Sequence, residues 1–147
     1  MDRIEVLRQV ELFEGLDDED LRHLDSVCTQ ERYQKGETVF RAGEEGDRLY
    51  IVSEGFVEII VGNTAATPRT VVNLGTGQLF GEMALVDHGP RSATVRALQD
   101  NTVLEVISRE EFAALCSANT RLGYAVMRNM AADLSFKLRH RNLMDSK

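Results

Sequence analysis

The segment Leu49-Tyr50-Ile51-Val52-Ser53-Glu54-Gly55-Phe56-Val57-Glu58-Ile59-Ile60-Val61 holds two short apolar runs parted by a few residues that include a glycine. Val, Ile, Tyr and Phe in runs of this length favour strands. The gap is too short for the helix that a parallel crossover needs, so the two strands run antiparallel. The same pattern continues outward in Thr38-Val39-Phe40, Thr70 to Leu74, Thr94 to Leu98 and Thr102 to Ile107. Nine of the eleven glycines fall between Gly36 and Gly89, where they punctuate these runs. The centre of the chain is expected to form an antiparallel, jelly-roll-like β-roll. The small, polar stretch from Gly62 to Arg69 is expected to be a hairpin loop.

The ends have a helical period. Leu7, Leu12, Phe13, Leu16, Leu21, Leu24 and Val27 predict an N-terminal helical segment over 1–30, with the acidic run Asp17-Asp18-Glu19-Asp20 capping its second helix. Ser108, with Glu111 three residues on, is a capping box that opens a helix through Phe112 and Leu115. A longer helix is expected from about Thr120 to Leu143. The chain is thus one domain of α+β class over 1–147: helices over 1–30, β-roll over 31–107, two helices over 108–143.

The length of 147 residues suits a single domain, and 43% hydrophobic with 28% charged residues is an ordinary globular balance. The longest apolar runs are far below the roughly 20 residues of a membrane-spanning helix. The N-terminus, Met1-Asp2-Arg3-Ile4-Glu5, has no signal core, so a cytoplasmic location is expected. Cys28 and Cys116 alone make neither a disulfide framework nor a four-ligand metal site. The net charge of −7 argues against direct nucleic-acid binding. Residues 121–147 nevertheless carry six Lys/Arg against two Asp/Glu. They form either a cationic helix end on an acidic body or a docking helix for an acidic partner.

Chemistry concentrates in Leu79-Phe80-Gly81-Glu82-Met83-Ala84-Leu85-Val86-Asp87-His88-Gly89-Pro90-Arg91-Ser92-Ala93-Thr94-Val95. Gly81 lets the chain leave a strand and turn sharply. Glu82 to Val86 can make one helical turn whose first N–H groups lack intrahelical partners. Gly89-Pro90 ends it and presents Arg91 beside the turn. A guanidinium fork near free N–H groups suits a phosphate. Glu82 suits sugar hydroxyls instead, or pairs with a cation such as Arg91. Phosphate and ribose hydroxyl in one small pocket describe a nucleotide whose phosphate lies close to its sugar. Met83 and Leu85 alternate around the turn and are expected in the core; His88 reads as a solvated turn residue.

This stretch resembles the phosphate-binding cassette of the cyclic nucleotide-binding domain family, Phe-Gly-Glu-x-Ala-Leu followed by Pro-Arg-x-Ala-Thr-Val. The pattern is met by Phe80 to Leu85 and Pro90 to Val95. The segments Leu12-Phe13, Lys35 to Phe40, Gly43 to Val52 and Gly55-Phe56-Val57 resemble the family's helical entry and early strands. The resemblance implies a non-catalytic sensor with no cofactor, whose ligand is cyclic AMP or, less favoured, cyclic GMP. It implies that Arg91 pairs with the cyclic phosphate and Glu82 accepts from the ribose 2′-hydroxyl. Gly81 would let the backbone approach the sugar, while the Ala84 and Ser92 N–H groups, and the Ser92 hydroxyl, would reach the phosphate. Met83 and Ala93 complete the ligand-binding set. Serine at 92, where cyclic GMP-selective members carry threonine, leaves the base choice open.

The last helix carries two stripes. Tyr124, Met127, Ala131, Leu134 and Leu138 follow a 3-4-3-4 spacing that makes a dimer seam, whereas Leu122, Val126 and Met130 lie at i, i+4 spacing and suit the protein's own β-roll. One wide apolar face on a monomer is the alternative. The resemblance implies that this helix closes over the base and can pair two copies as a homodimer. Its lid candidates are Ser135, Phe136 and Arg139. The chain ends at Lys147 without a helix-turn-helix, so a free-standing sensor or a piece of a larger regulator, channel or fused enzyme is expected, with its effector unknown. Two other classes are a metal-dependent β-roll enzyme and a dimerisation module that has lost its ligand. The metal enzyme needs converging ligands, and His23, His88 and His140 lie in three separate segments.

Overall fold

The computed structural model describes residues 1–61 and 70–145, so the expected loop from Gly62 to Arg69 lies outside the described residues. The chain opens with α1 (Arg3–Arg8), a 3-10 turn (Glu11–Phe13) and α2 (Asp18–Ser26). Eight strands follow: β1 (Thr29–Tyr33), β2 (Thr38–Phe40), β3 (Arg48–Glu54), β4 (Val57–Val61), β5 (Thr70–Leu74), β6 (Leu79–Phe80), β7 (Thr94–Ala97) and β8 (Thr102–Ser108). A second 3-10 turn, Glu82–Leu85, lies between β6 and β7, and α3 (Arg109–Ala118) and α4 (Thr120–Asp145) close the chain. All strand pairs are antiparallel, in two sheets ordered β1-β8-β3-β6 and β2-β7-β4-β5. The chain is an antiparallel β-roll with flanking helices.

Two cores share the central strand pair. Between the sheets lie Tyr50, Val52, Val57, Phe80, Val95, Leu104 and Val106. On the outer face of the first sheet, Leu49, Ile51 and Ile107 join Val6, Leu7, Leu21, Leu24 and Phe112 from the helices. Successive side chains on a strand point to opposite faces. β3 and β8 are therefore buried on both sides, which is why Leu49-Tyr50-Ile51-Val52 reads as a continuous apolar run rather than an alternation.

One strand escaped the sequence reading, and another was read only through its exit at Gly81. β1, Thr-Gln-Glu-Arg-Tyr, pairs only with β8 and has mostly exposed side chains, so hydrophobic patterning gives it no signal. Its charges are typical of a sheet edge. β6 is two residues long. Both helix starts follow their caps: the Asp17 carboxylate accepts from the Asp20 N–H, that of Asp20 accepts from the Asp17 N–H, and Ser108 accepts from the Glu111 N–H.

The first half of α4 packs on the outer core and the N-terminal segment. Leu122, Val126 and Met130 are buried in the outer core, as the i, i+4 stripe requires. Arg121 donates to Asp20, and the Asn129 amide donates to the Leu12 and Glu14 carbonyls at 2.9 Å each. The seam expected for pairing is divided. Met127 and Leu134 lean on the protein's own core, while Tyr124 and Leu138 are 70% and 58% exposed.

Burial opposes ionisation of the Asp20 carboxyl, but Arg121 and the Asp17 N–H outweigh it and hold its pKa below the ordinary value. A depressed folded pKa contributes stability above the unfolded pKa of about 3.9 and loses it as pH falls through the folded value. Asp20→Asn is expected to cost about 1–2 kcal/mol at neutral pH, through the cap and the ion pair. That cost should begin to shrink as the pH drops below the unfolded carboxyl value and vanish only below the depressed folded one. Urea unfolding of both proteins between pH 7 and 3 checks this; a cost independent of pH contradicts it.

A candidate nucleotide site beside the Glu82–Leu85 turn

A cavity of about 610 Å³ opens between the second sheet, the 3-10 turn and α4. All seven residues expected to bind the ligand line it: Gly81, Glu82, Met83, Ala84, Arg91, Ser92 and Ala93. Gly81 adopts φ +77°, the left-handed conformation that lets β6 turn straight into the 3-10 helix. Arg91 is pinned by its main chain, donating to the Glu44 carbonyl at 2.7 Å and accepting from the Gly43 N–H at 2.8 Å.

The Arg91 side chain occupies a narrow slot. A Cβ on Gly46 would stand 2.8 Å from its guanidinium carbon, and one on Gly81 would stand 2.8 Å from Nη1. Beneath it lies an aromatic floor: the guanidinium carbon is 4.1 Å from the Phe40 ring centre and 5.8 Å from that of Tyr50. Tyr50 itself stacks on Phe80 at 5.1 Å. Nη1 donates to the Gly81 carbonyl at 3.3 Å and Nη2 to the Arg48 carbonyl at 2.9 Å. The Nε–H is buried and has no partner among the described residues. A guanidinium carries five N–H donors, so most of its donor capacity is unspent.

No carboxylate lies within ion-pairing distance of Arg91 among the described residues. The nearby acids are engaged elsewhere. Asp47 accepts from Arg48 Nε at 2.9 Å, and Glu44 accepts from the Arg41 N–H at 2.7 Å. Burial lowers the Arg91 pKa, although Tyr50, Asp47 and Glu44 oppose the shift. The pair with Glu82 considered from the sequence does not form. Glu82 is half-buried and lines the cavity together with Lys137 of α4, whose charge it favours.

Several expectations need correction. Met83 is 44% exposed and is not core; the turn is 3-10 in geometry and points this side chain outward. Leu85 does pack against the outer core. The Ala84 N–H, expected to face a phosphate, closes the 3-10 turn on the Gly81 carbonyl at 3.2 Å. Ser135, Phe136 and Arg139 do not line the cavity; Lys137 does, held by Asp133 at 2.9 Å. The reason is helical phase. Lys137 lies seven residues after buried Met130, about 20° out of phase with it, whereas Ser135, Phe136 and Arg139 fall about 120–180° away. Phe136 is 59% exposed and stacks on His140. This phase is legible in the spacing of Leu122, Val126, Met130 and Lys137 in the sequence. Phe40 and Gly46 gave no chemical signal, since one is a floor and the other a space.

Among the described residues no group of three or more His, Cys, Asp or Glu gathers as a metal site, and no helix is long and apolar enough to cross a membrane.

Comparison with known proteins agrees with this geometry. The family model for the cyclic nucleotide-binding domain matches residues 30–119, and the chain belongs to that family. The chain is 36% identical over 132 residues to the cyclic AMP receptor protein of Thermus thermophilus, covering 90% of this chain and 59% of that protein. Its structure is similar to the N-terminal domain of a transcriptional regulator from Streptomyces coelicolor, with TM-score 0.83 and 30% identity over 92% of this chain and 94% of that one. It is also similar to the regulatory domain of Toxoplasma gondii PKA, solved with cAMP, with TM-score 0.73, 26% identity and coverage of 90% and 48%. The chain spans less than two thirds of the length of the curated relatives it matches.

Arg91 offers a direct stability test. An uncompensated, half-buried charge contributes little to folding, and apolar groups of similar volume often replace it without loss. Arg91→Met is therefore expected to leave stability within about 1 kcal/mol of wild type. Denaturant unfolding checks this. A loss several times larger would mean that the arginine is a structural strut.

Proposed function

We propose that this chain is a sensor that binds a 3′,5′-cyclic nucleotide, cyclic AMP ahead of cyclic GMP, without hydrolysing it. The observation that carries the reading is Arg91: a half-buried cation with no carboxylate partner and most of its donors unspent, in the cavity that Glu82 also lines. A desolvated guanidinium of this kind is matched by a dianionic or monoanionic oxygen group. The cyclic phosphate meets that need at one end of the cavity, with Arg91 and Ser92. Glu82 accepts from the ribose hydroxyl. The preference for cyclic AMP draws support from the similarity to proteins described as a cyclic AMP receptor and as a regulatory domain solved with cAMP.

Output in this reading passes through α4. The nucleotide cavity adjoins a second space of about 700 Å³ under α4, and the two share Leu74, Leu79, Glu82 and Lys137. Beyond Met130 the helix keeps a partial contact through Leu134 and otherwise borders open volume. A ligand that prefers one helix position shifts the equilibrium by its difference in affinity. Bringing Ser135, Phe136 or Arg139 over the base requires α4 to turn or bend. The exposed Tyr124, Ala131 and Leu138 are where a second copy of the chain would pack.

Isothermal calorimetry with cyclic AMP and cyclic GMP tests the assignment. Arg91→Ala is expected to weaken binding roughly 10–150-fold, the worth of a charge-assisted bond. Glu82→Ala is expected to weaken it less and to remove discrimination against the 2′-deoxy nucleotide. Chromatography after prolonged incubation should recover the cyclic form intact. A wild-type protein that binds neither nucleotide at millimolar concentration overturns the reading and leaves α4-mediated dimerisation as the remaining function. Equal binding of the 2′-deoxy nucleotide by wild type removes Glu82 from ribose recognition.

A further inference from the structure

Arg109 is the first residue of α3, where a cation is opposed by the partial positive charge of the helix N-terminus. Its neighbours Glu110 and Glu111 obey that rule and Arg109 does not. Helix formation gives no reason for it. Its contacts do. Nη1 lies 2.9 Å from the Gly46 carbonyl, 3.0 Å from that of Ala84 and 3.0 Å from that of Asp87. The Arg109 main-chain N–H donates to the Asp47 carbonyl at 2.8 Å. One nitrogen thus serves three acceptors, which requires a shared, three-centre bond. No carboxylate lies within ion-pairing distance of Arg109 among the described residues. Its charge is directed wholly at carbonyl dipoles, including those that end the 3-10 turn, a favourable placement for a basic side chain.

These carbonyls belong to the two walls of the anion site. One wall is Gly46-Asp47, and Gly46 is the surface against which the Arg91 guanidinium lies. The other is the segment from Glu82 to Asp87, which lines the cavity. Arg109 does not line the cavity, so any effect on a ligand passes through these walls. Behind it, α3 is locked to α4 by close approach: a Cβ on Gly123 would stand 2.8 Å from the Cys116 Cβ.

We propose that Arg109 is a positioning residue that ties both walls of the anion site to the first turn of α3, so that the walls and the α3–α4 pair move as one body. The tie between walls and α3 holds whatever the ligand, while its use in signalling rests on the nucleotide reading above. Without the tie, an anion bound at Arg91 tightens the walls but leaves α4 where it was. With it, a shift of the Glu82–Asp87 segment displaces the start of α3 and, through Gly123, α4.

The test compares wild type, Arg109→Ala and Arg109→Lys by amide hydrogen exchange, first without and then with saturating cyclic AMP and, separately, cyclic GMP. Without nucleotide, Arg109→Ala is expected to raise exchange about 10-fold in both segments 44–47 and 82–87, while β8 stays protected. With nucleotide, the change that wild type shows across residues 120–140 is expected to be largely lost in Arg109→Ala, even at saturation, and partly restored in Arg109→Lys. Affinity is expected to fall about 10-fold in Arg109→Ala. A merely structural residue would alter melting temperature without removing the response of α4 at saturation. Should Arg109→Ala fail to fold, Arg109→Lys carries the comparison, since lysine keeps the charge and loses the fork. Unchanged exchange in either wall, or a full α4 response at saturation, overturns the proposal. If wild type binds neither nucleotide, the nucleotide reading falls, and exchange in the two walls still decides the tie: joint loosening supports it and no change refutes it.

Discussion

β3 and β8 are buried on both faces, and nearly everything else in the structure hangs from that pair. Their inner side chains fill the space between the sheets, and their outer ones anchor the helices. The register places Arg48 opposite Ser108 at one end of the pair. That end is also where the site is built. The Arg48 carbonyl accepts from Arg91, the Asp47 carbonyl accepts from the Arg109 N–H, and Gly46 gives Arg91 its space. A site mounted on the most rigid strands keeps its spacing while the parts around it adjust.

The electrostatics of the site follow from what surrounds Arg91. Desolvation makes a buried cation costly unless something balances it. Here carbonyl dipoles, an aromatic face and more distant carboxylates offset part of the cost. The nearest acids are turned toward Arg48 and the Arg41 N–H. A direct carboxylate partner would compete with any anionic ligand for the same donors. Resting the guanidinium on carbonyl partners fixes its position and leaves donors free for the anion of the proposed ligand. Glycine at 46, whose backbone is unstrained, leaves the space that the Arg91 guanidinium occupies, and a side chain there would push the guanidinium aside.

Much of this was legible in the chain. Runs such as Leu49 to Val52 and Thr102 to Ile107 announce strands buried on two faces, and Asp17 and Ser108 mark helix starts through their own side-chain chemistry. The segment from Phe80 to Val95 announces the turn and the residues that line the cavity, because a sharp turn followed by a presented arginine requires particular residue types at fixed spacing. β1 was hidden because an exposed edge leaves no hydrophobic period, and β6, too short for one, showed only through the glycine that ends it. Met83 was misread because alternation cannot distinguish a 3-10 turn at the surface from one in the core. The engagement of the Ala84 N–H, and the three carbonyls around Arg109, depend on backbone atoms that every residue shares, so no residue type reports them.

The two halves of α4 are mechanically unequal. Arg121 and Asn129 tie the first half to the N-terminal segment, and Met130 is the last buried residue along it among those whose side chains are described. From there to Asp145 the helix is a rigid arm of about 22 Å at 1.5 Å per residue. Pivoting such an arm by about 10° at Met130 carries its tip through about 4 Å, several times the adjustment needed at the pivot. Small displacements under the first turn beyond Met130 thus reach the far end of the helix as movements large enough to make or break contact with another molecule.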